Sequence, residues 1–225
     1  MQFCYHINAG KEILEIKDEL FNHLYKARRT KIQTLLCFRN LQDNNLYTYK
    51  HLQIEKKQAT LMLVETKKLP LASTKKLHLI WAIIENKNIE KTLPYLNQLG
   101  VKKISFFFAN RSQKNEKISL ERLHKILISS CEQCNRSDLM EIELLKNTQE
   151  ALQKYPNSFV MDFDGADIYA SRITNFENGI FIGPEGGFDE IERQMFISQK
   201  KLSISNQFIL KSECAALFIS SLATI

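Results

Sequence analysis

The chain has 225 residues and a mass of 26.2 kDa, room for one large domain or two modest ones. Its 44% hydrophobic and 25% charged residues exclude long disorder and fibrous structure, and seven glycines with four prolines exclude repeats or linkers built from them. A formal charge of +6 and a pI near 9.0 hint at a polyanionic partner.

Residues 1–70 read as short strands around one helix. The helix is expected over 18–28, with Leu20, Leu24 and Ala27 along one side, and strands over 32–39, 46–49 and 59–64, bounded by the turn cluster Asp43-Asn44-Asn45. Lys67, Lys68 and Pro70 mark a boundary near residue 70. From residue 77 strands and helices alternate. Strand 77–84 is followed by helix 89–99, which Gly100 stops, then strand 101–108, helix 120–135, strand 140–145 and helix 148–154. Strands 159–163 and 179–182, helix 189–199, strand 202–205 and helix 212–223 complete the pattern. Such alternation implies an α/β sheet, mostly parallel, with helices on both faces.

Charge is uneven along the chain. Lys and Arg number 12 against 7 Asp and Glu over residues 1–70, 11 against 4 over 71–125, and 8 against 14 over 126–225. This suggests a polyanion-facing front and a separate site behind it, or solvated faces of a lysine-rich chain. Charges throughout the first twenty residues leave no signal-peptide core, and the uncharged stretch 214–225 is too short to span a membrane. Five cysteines fit a reducing cytoplasm. Cys131 and Cys134, one helical turn apart, read as buried structural thiols, with a redox or metal pair as the alternative.

The densest local signal is Ile182-Gly183-Pro184-Glu185-Gly186-Gly187-Phe188, between an apolar strand and a helix starting near Asp189. Glycine permits close backbone approach and positive φ, proline stiffens the turn, and Asp189 with Glu192 forms a plausible capping box. Neither the dinucleotide nor the P-loop pattern is met, and Glu185 would repel phosphate. The loop is either a tight structural turn or the seat of a ligand with ribose, adenine and a positive sulfonium.

This segment, with Asp189-Glu190-Ile191-Glu192 after it, resembles the signature of the bacterial 16S ribosomal RNA uridine N3-methyltransferases of the SPOUT superfamily. His23-Leu24-Tyr25-Lys26-Ala27-Arg28-Arg29, Gln98-Leu99-Gly100-Val101, Asn110-Arg111-Ser112 and Glu132-Gln133-Cys134-Asn135-Arg136 resemble further family elements in the same order. The chain departs at Asn206, Phe208 and Lys211, where the family has glycine and two arginines; Lys211 lacks the bidentate fork of arginine.

The resemblance implies a PUA-like RNA-binding domain over 1–70 and a SPOUT methyltransferase domain with a C-terminal trefoil knot over 71–225. It further implies a cytoplasmic homodimer that methylates N3 of a uridine in 16S ribosomal RNA, within the small subunit. S-adenosylmethionine would be held by Ile182, Gly183, Pro184, Glu185, Gly186, Gly187, Ser205, Asn206, Ile209 and Leu210, with no metal. Arg111, Lys211 and Glu213 are the catalytic candidates, since the N3 proton must leave and the resulting charge needs a cation. His23, Arg28, Arg29 and Arg136 are the RNA-binding candidates. His23 reads alternatively as a packed core histidine and Glu213 as a cap of the last helix. A non-catalytic ribosome-assembly factor, or a methyltransferase of another RNA target, are the alternative functions.

Overall fold

The computed structural model describes residues 3–113, 115–204 and 209–223. Among them no helix is long and apolar enough to cross a membrane. The chain divides into two compact units, one formed by residues 1–72 with 131–139 and the other by 73–130 with 140–225.

The first unit holds a sheet of five strands: β1 (Cys4–Tyr5), β2 (Ile13–Ile16), β3 (Leu36–Arg39), β4 (Asn45–Ile54) and β5 (Ala59–Lys68), in the order β1-β3-β4-β5-β2. Only the β1–β3 pair is parallel. Alternate residues of β2, Leu14 and Ile16, point into a core with Phe38, Tyr49 and Leu61. The strand expected from residue 32 begins only at Leu36, and Ile32 and Leu35 are exposed. The helix expected over 18–28 is a short α1 (Asp18–Phe21) that widens into a π-helical segment, Asn22–Ala27. Phe21 and Leu24 still reach the core, while His23 is exposed. Residues 131–139 join this unit through side chains: Glu132 accepts from the Tyr5 amide at 2.7 Å, and Ser137 accepts from the Leu71 amide at 2.8 Å while donating to Asn44 at 2.6 Å.

The second unit is built on six parallel strands: β6 (His78–Ala82), β7 (Lys103–Phe107), β8 (Glu141–Leu145), β9 (Phe159–Asp167), β10 (Ile180–Ile182) and β11 (Lys200–Ser203), ordered β11-β9-β10-β6-β7-β8. The helices are α2 (Asn86–Gln98), α3 (Leu120–Cys134), α4 (Thr148–Lys154), α5 (Ile168–Ser171), α6 (Glu190–Met195) and α7 (Ser212–Leu222). All of β6 is buried, as expected of a central parallel strand. The chain leaves β6 for β7 and β8, returns to the far side as β9, and then inserts β10 between β9 and β6. Such a reversal opens a crevice at the C-terminal strand ends.

β9 runs past the expected residue 163 to Asp167, but with a break. β11 pairs Lys201 with Val160 and then Leu202 with Ala166, so residues 161–165 are unpaired with β11. The two backbones meet at Gly165, where a Cβ would lie 2.4 Å from the Leu202 carbonyl carbon; only glycine fits. Near the starts of β6, β7 and β8 a second group of polar side chains closes on itself. His78 meets Ser105 at 2.7 Å, Ser105 donates to Glu143 at 2.5 Å, and Lys103, Lys154 and Tyr155 all converge on Glu143.

Candidate functional site

A cavity of about 440 Å³ lies at the C-terminal ends of β9, β10 and β11, within the size range of small-molecule sites. Its wall includes Ile182, Gly183, Pro184, Glu185, Gly186, Gly187, Ile209 and Leu210, all expected from sequence to hold the ligand. Ser205 and Asn206 lie outside the described residues. Asp162, Ser212 and Ala215 also line it.

The glycine loop is held from several directions. The Gly187 amide donates to the Pro184 carbonyl at 2.9 Å, and Gly187 takes φ +67°, the left-handed region that suits glycine. Phe188 then plunges into the core, its ring 4.9 Å from that of Phe196, which in turn stacks at 4.9 Å on Phe181. Burying one such ring contributes roughly 1.5–3 kcal/mol. After it, α6 opens with a complete capping box: Asp189 accepts from the Glu192 amide at 2.9 Å, and Glu192 accepts from the Asp189 amide at 3.1 Å. The helix ends at Met195, earlier than the expected 199.

Asn110 and Arg111 fasten a neighbouring loop to this one. The Asn110 amide donates to Glu192 at 3.0 Å, its side chain donates to Asp189 at 2.8 Å, and Arg111 donates to the Gly186 carbonyl at 2.7 Å. The Glu192 amide and the Asn110 side chain together hold the Asp189 carboxyl below its usual range. Glu192 itself is buried and also accepts from Thr148 at 2.5 Å. On the other side of the cavity Arg193 clasps both oxygens of buried Asp162, at 3.0 and 3.2 Å, and this carboxylate raises the guanidinium's pKa. That pair fixes the segment 161–163 beside the point where β9 parts from β11.

Lys211 is exposed at the start of α7, and among the described residues no side chain caps that helix, so Glu213 does not serve as its cap. One Glu213 carboxylate oxygen is buried and, among the described residues, has no hydrogen-bond partner, an arrangement that is costly unless a donor arrives. In the first unit His23, Arg28 and Arg29 are all exposed; the core reading of His23 fails because the π-helical turn carries it off the apolar face. Arg136, expected to meet RNA, is 5% exposed, and its guanidinium lies on both oxygens of Asp138 at 3.0 and 2.9 Å. So held, it has no open face for a phosphate. Cys131 is buried and donates to the Asp138 carbonyl at 3.5 Å, Cys134 is half-buried, and among the described residues no His, Cys, Asp and Glu cluster could hold a metal.

A family model described as an RNA methyltransferase domain matches residues 71–224. The chain is 51% identical to ribosomal RNA small subunit methyltransferase E of Helicobacter pylori over 228 residues, covering 100% of each. It is 29% identical to the protein of the same name from Mesomycoplasma hyopneumoniae, over 96% of each. Among solved structures, it is similar to ribosomal RNA small subunit methyltransferase E from Neisseria gonorrhoeae bound to S-adenosyl methionine, with a TM-score of 0.83 at 22% identity, covering 98% of this chain and 95% of that one.

Proposed function

The chain belongs to the RNA methyltransferase family, and from that premise we propose that it methylates N3 of a uridine in 16S ribosomal RNA, using S-adenosylmethionine. The observation that carries this reading is the cavity walled by the glycine loop at the reversal of the parallel sheet. Its donor set fits the methyl donor. Backbone groups of Gly183 to Gly187 and the apolar Ile209 and Leu210 suit a nucleoside, and Glu185 in the wall disfavours a phosphate and favours a cationic ligand. Bound there, S-adenosylmethionine supplies an electrophilic methyl group on sulfur.

The remaining work falls to side chains. Uridine N3 must give up its proton before it can attack, and the charge left on the ring needs a cation nearby. Arg111 is tied to Gly186 through one nitrogen and is exposed, so the rest of its fork remains available to the base. Lys211 is the second cation, and Glu213, with its unpartnered oxygen, is the acceptor that orients the base. Arg28 and Arg29 supply exposed positive charge for RNA phosphates, and exposed His23 offers a ring N–H to one.

We extend the reading to the architecture. Residues 1–70 act as a PUA-like RNA-binding domain, and residues 71–225 as a SPOUT domain knotted where β11 crosses the excursion of β9. The contact of Gly165 with Leu202 supports that crossing. Exposed Phe163, Ile197 and Ile209 support a homodimer, and five free cysteines support a cytoplasmic location. Calorimetry with S-adenosylmethionine tests the cofactor: the expected result is one site per chain, and no binding overturns the reading. Mass mapping of ribosomal RNA from a deletion strain tests the target, where loss of one methylated uridine is expected and an unchanged pattern contradicts it.

A further inference from the structure

We infer that Ser212 is a positioning residue for the methyl donor, acting through a buried relay that runs from Trp81 through Ser212 to the carbonyl of Gly183. The inference rests on the cofactor reading above. The Trp81 indole N–H donates to the Ser212 hydroxyl oxygen at 2.8 Å, and the Ser212 hydroxyl donates to the Gly183 carbonyl at 2.6 Å. Trp81 is fully buried and Ser212 is 5% exposed. The three residues come from β6, α7 and the end of β10, and Ile182 is the register partner of Trp81 in the sheet.

Gly183 needs this support for a reason written into its neighbour. β10 stops at Ile182, so no ladder bond reaches the next peptide. The peptide linking Gly183 to Pro184 has no N–H, because proline lacks one. Its carbonyl is therefore the one polar handle by which that peptide can be held. Glycine imposes little restriction of its own on the direction the loop takes. The Ser212 hydroxyl holds that handle and thereby sets where the cavity wall begins.

The relay also has a direction. An indole N–H donates and cannot accept, whereas a serine hydroxyl does both. Trp81 therefore occupies an accepting position on the Ser212 oxygen, and the hydroxyl proton is left to point at Gly183. Ser212 and Ala215, one turn apart on α7, both line the cavity, so the relay couples the placement of that helix to the placement of the glycine loop.

Trp81 is the single tryptophan of the chain, which provides a direct readout. In the full-length wild-type protein, titration with S-adenosylmethionine should change the fluorescence of Trp81. Ser212→Ala should weaken S-adenosylmethionine binding roughly tenfold by calorimetry, about the value of one buried hydrogen bond, and raise its KM while leaving the KM for RNA unchanged. Ser212→Thr keeps the hydroxyl and should restore both affinity and the fluorescence response. Should Ser212→Ala fail to fold, Trp81→Phe removes the indole donor alone and should give a smaller loss in the same parameter. Wild-type affinity in Ser212→Ala, or in Trp81→Phe where that variant stands in, would overturn the relay. Failure of the wild-type protein itself to bind S-adenosylmethionine would overturn the cofactor reading, and the relay's role with it.

Discussion

The two ends of the parallel sheet carry two polar networks of opposite character. Toward the strand starts, from the first residue of β6 to the middle of β7 and β8, His78, Ser105, Glu143, Tyr155, Lys103 and Lys154 satisfy one another. At the strand ends, Asn110, Arg111, Asp162, Asp189, Glu192 and Arg193 bind two loops around an open space, and the charged tips of Arg111 and Glu185 face solvent. Two of the most strongly perturbed groups belong to the first network. Burial, with Lys103 and Lys154 nearby, pushes His78 down to about 4. Burial alone would push Glu143 up, but hydrogen bonds from Lys154, Ser105, Tyr155 and Lys103 overcome it and hold the carboxyl at about 2. Titration anomalies often mark active sites. Here they mark a structural lock, and the site is marked by backbone exposed around a cavity.

That contrast can be broken at either end. The largest effect is expected from Phe188→Ala, which removes the loop's anchor from the ring cluster: about 3–5 kcal/mol of stability in chemical denaturation, and with it S-adenosylmethionine binding. Next is the acid response of the lock. The folded-state pKa of His78 lies below its unfolded value, so its contribution to stability is present above pH 6.5 and is lost as pH falls toward 4. The loss should approach about 3 kcal/mol across that window, read by urea denaturation at several pH values. His78→Gln should flatten the slope.

A smaller loss follows from Arg193→Ala, which leaves buried Asp162 without its partner. Roughly 2 kcal/mol of stability should go, together with S-adenosylmethionine affinity, because the segment 161–163 loosens. Smallest is Arg111→Lys, which keeps charge but not the fork. Methyl transfer should slow roughly tenfold, near 1.4 kcal/mol, with S-adenosylmethionine affinity unchanged by calorimetry. A slowing caused entirely by weaker cofactor binding would show that Arg111 serves only the loop.

The sequence made the strand–loop–helix unit around Gly183 to Phe188 legible, because glycines, proline and a capping pair are local signals. The alternation of strands and helices was legible for the same reason, and so was the parallel sheet. The pairings that complete the site were not. Asp162 meets Arg193 across 31 residues and Trp81 meets Ser212 across 131, and neither pair leaves a periodic trace. β1 has two residues, too few for strand alternation to show, and the four of β2 lie among charges. The alternative placement of His23 in the core arises because 3.6 residues per turn groups it with Leu20 and Ala27, whereas the chain winds wider there and leaves it exposed. Residues 131–139 join the first unit through Glu132 and Ser137, a partition that a boundary drawn along the sequence does not capture.

The central claim is that the cavity serves methyl transfer to uridine N3, and transfer itself tests it most directly. Purified protein would be incubated with unmodified small ribosomal subunits and isotopically labelled S-adenosylmethionine, and the label then located by mass spectrometry of nuclease fragments. The account predicts label on N3 of one uridine of the 16S RNA. Label on a ribose or on another base, or no transfer by a protein that binds both partners, would contradict it.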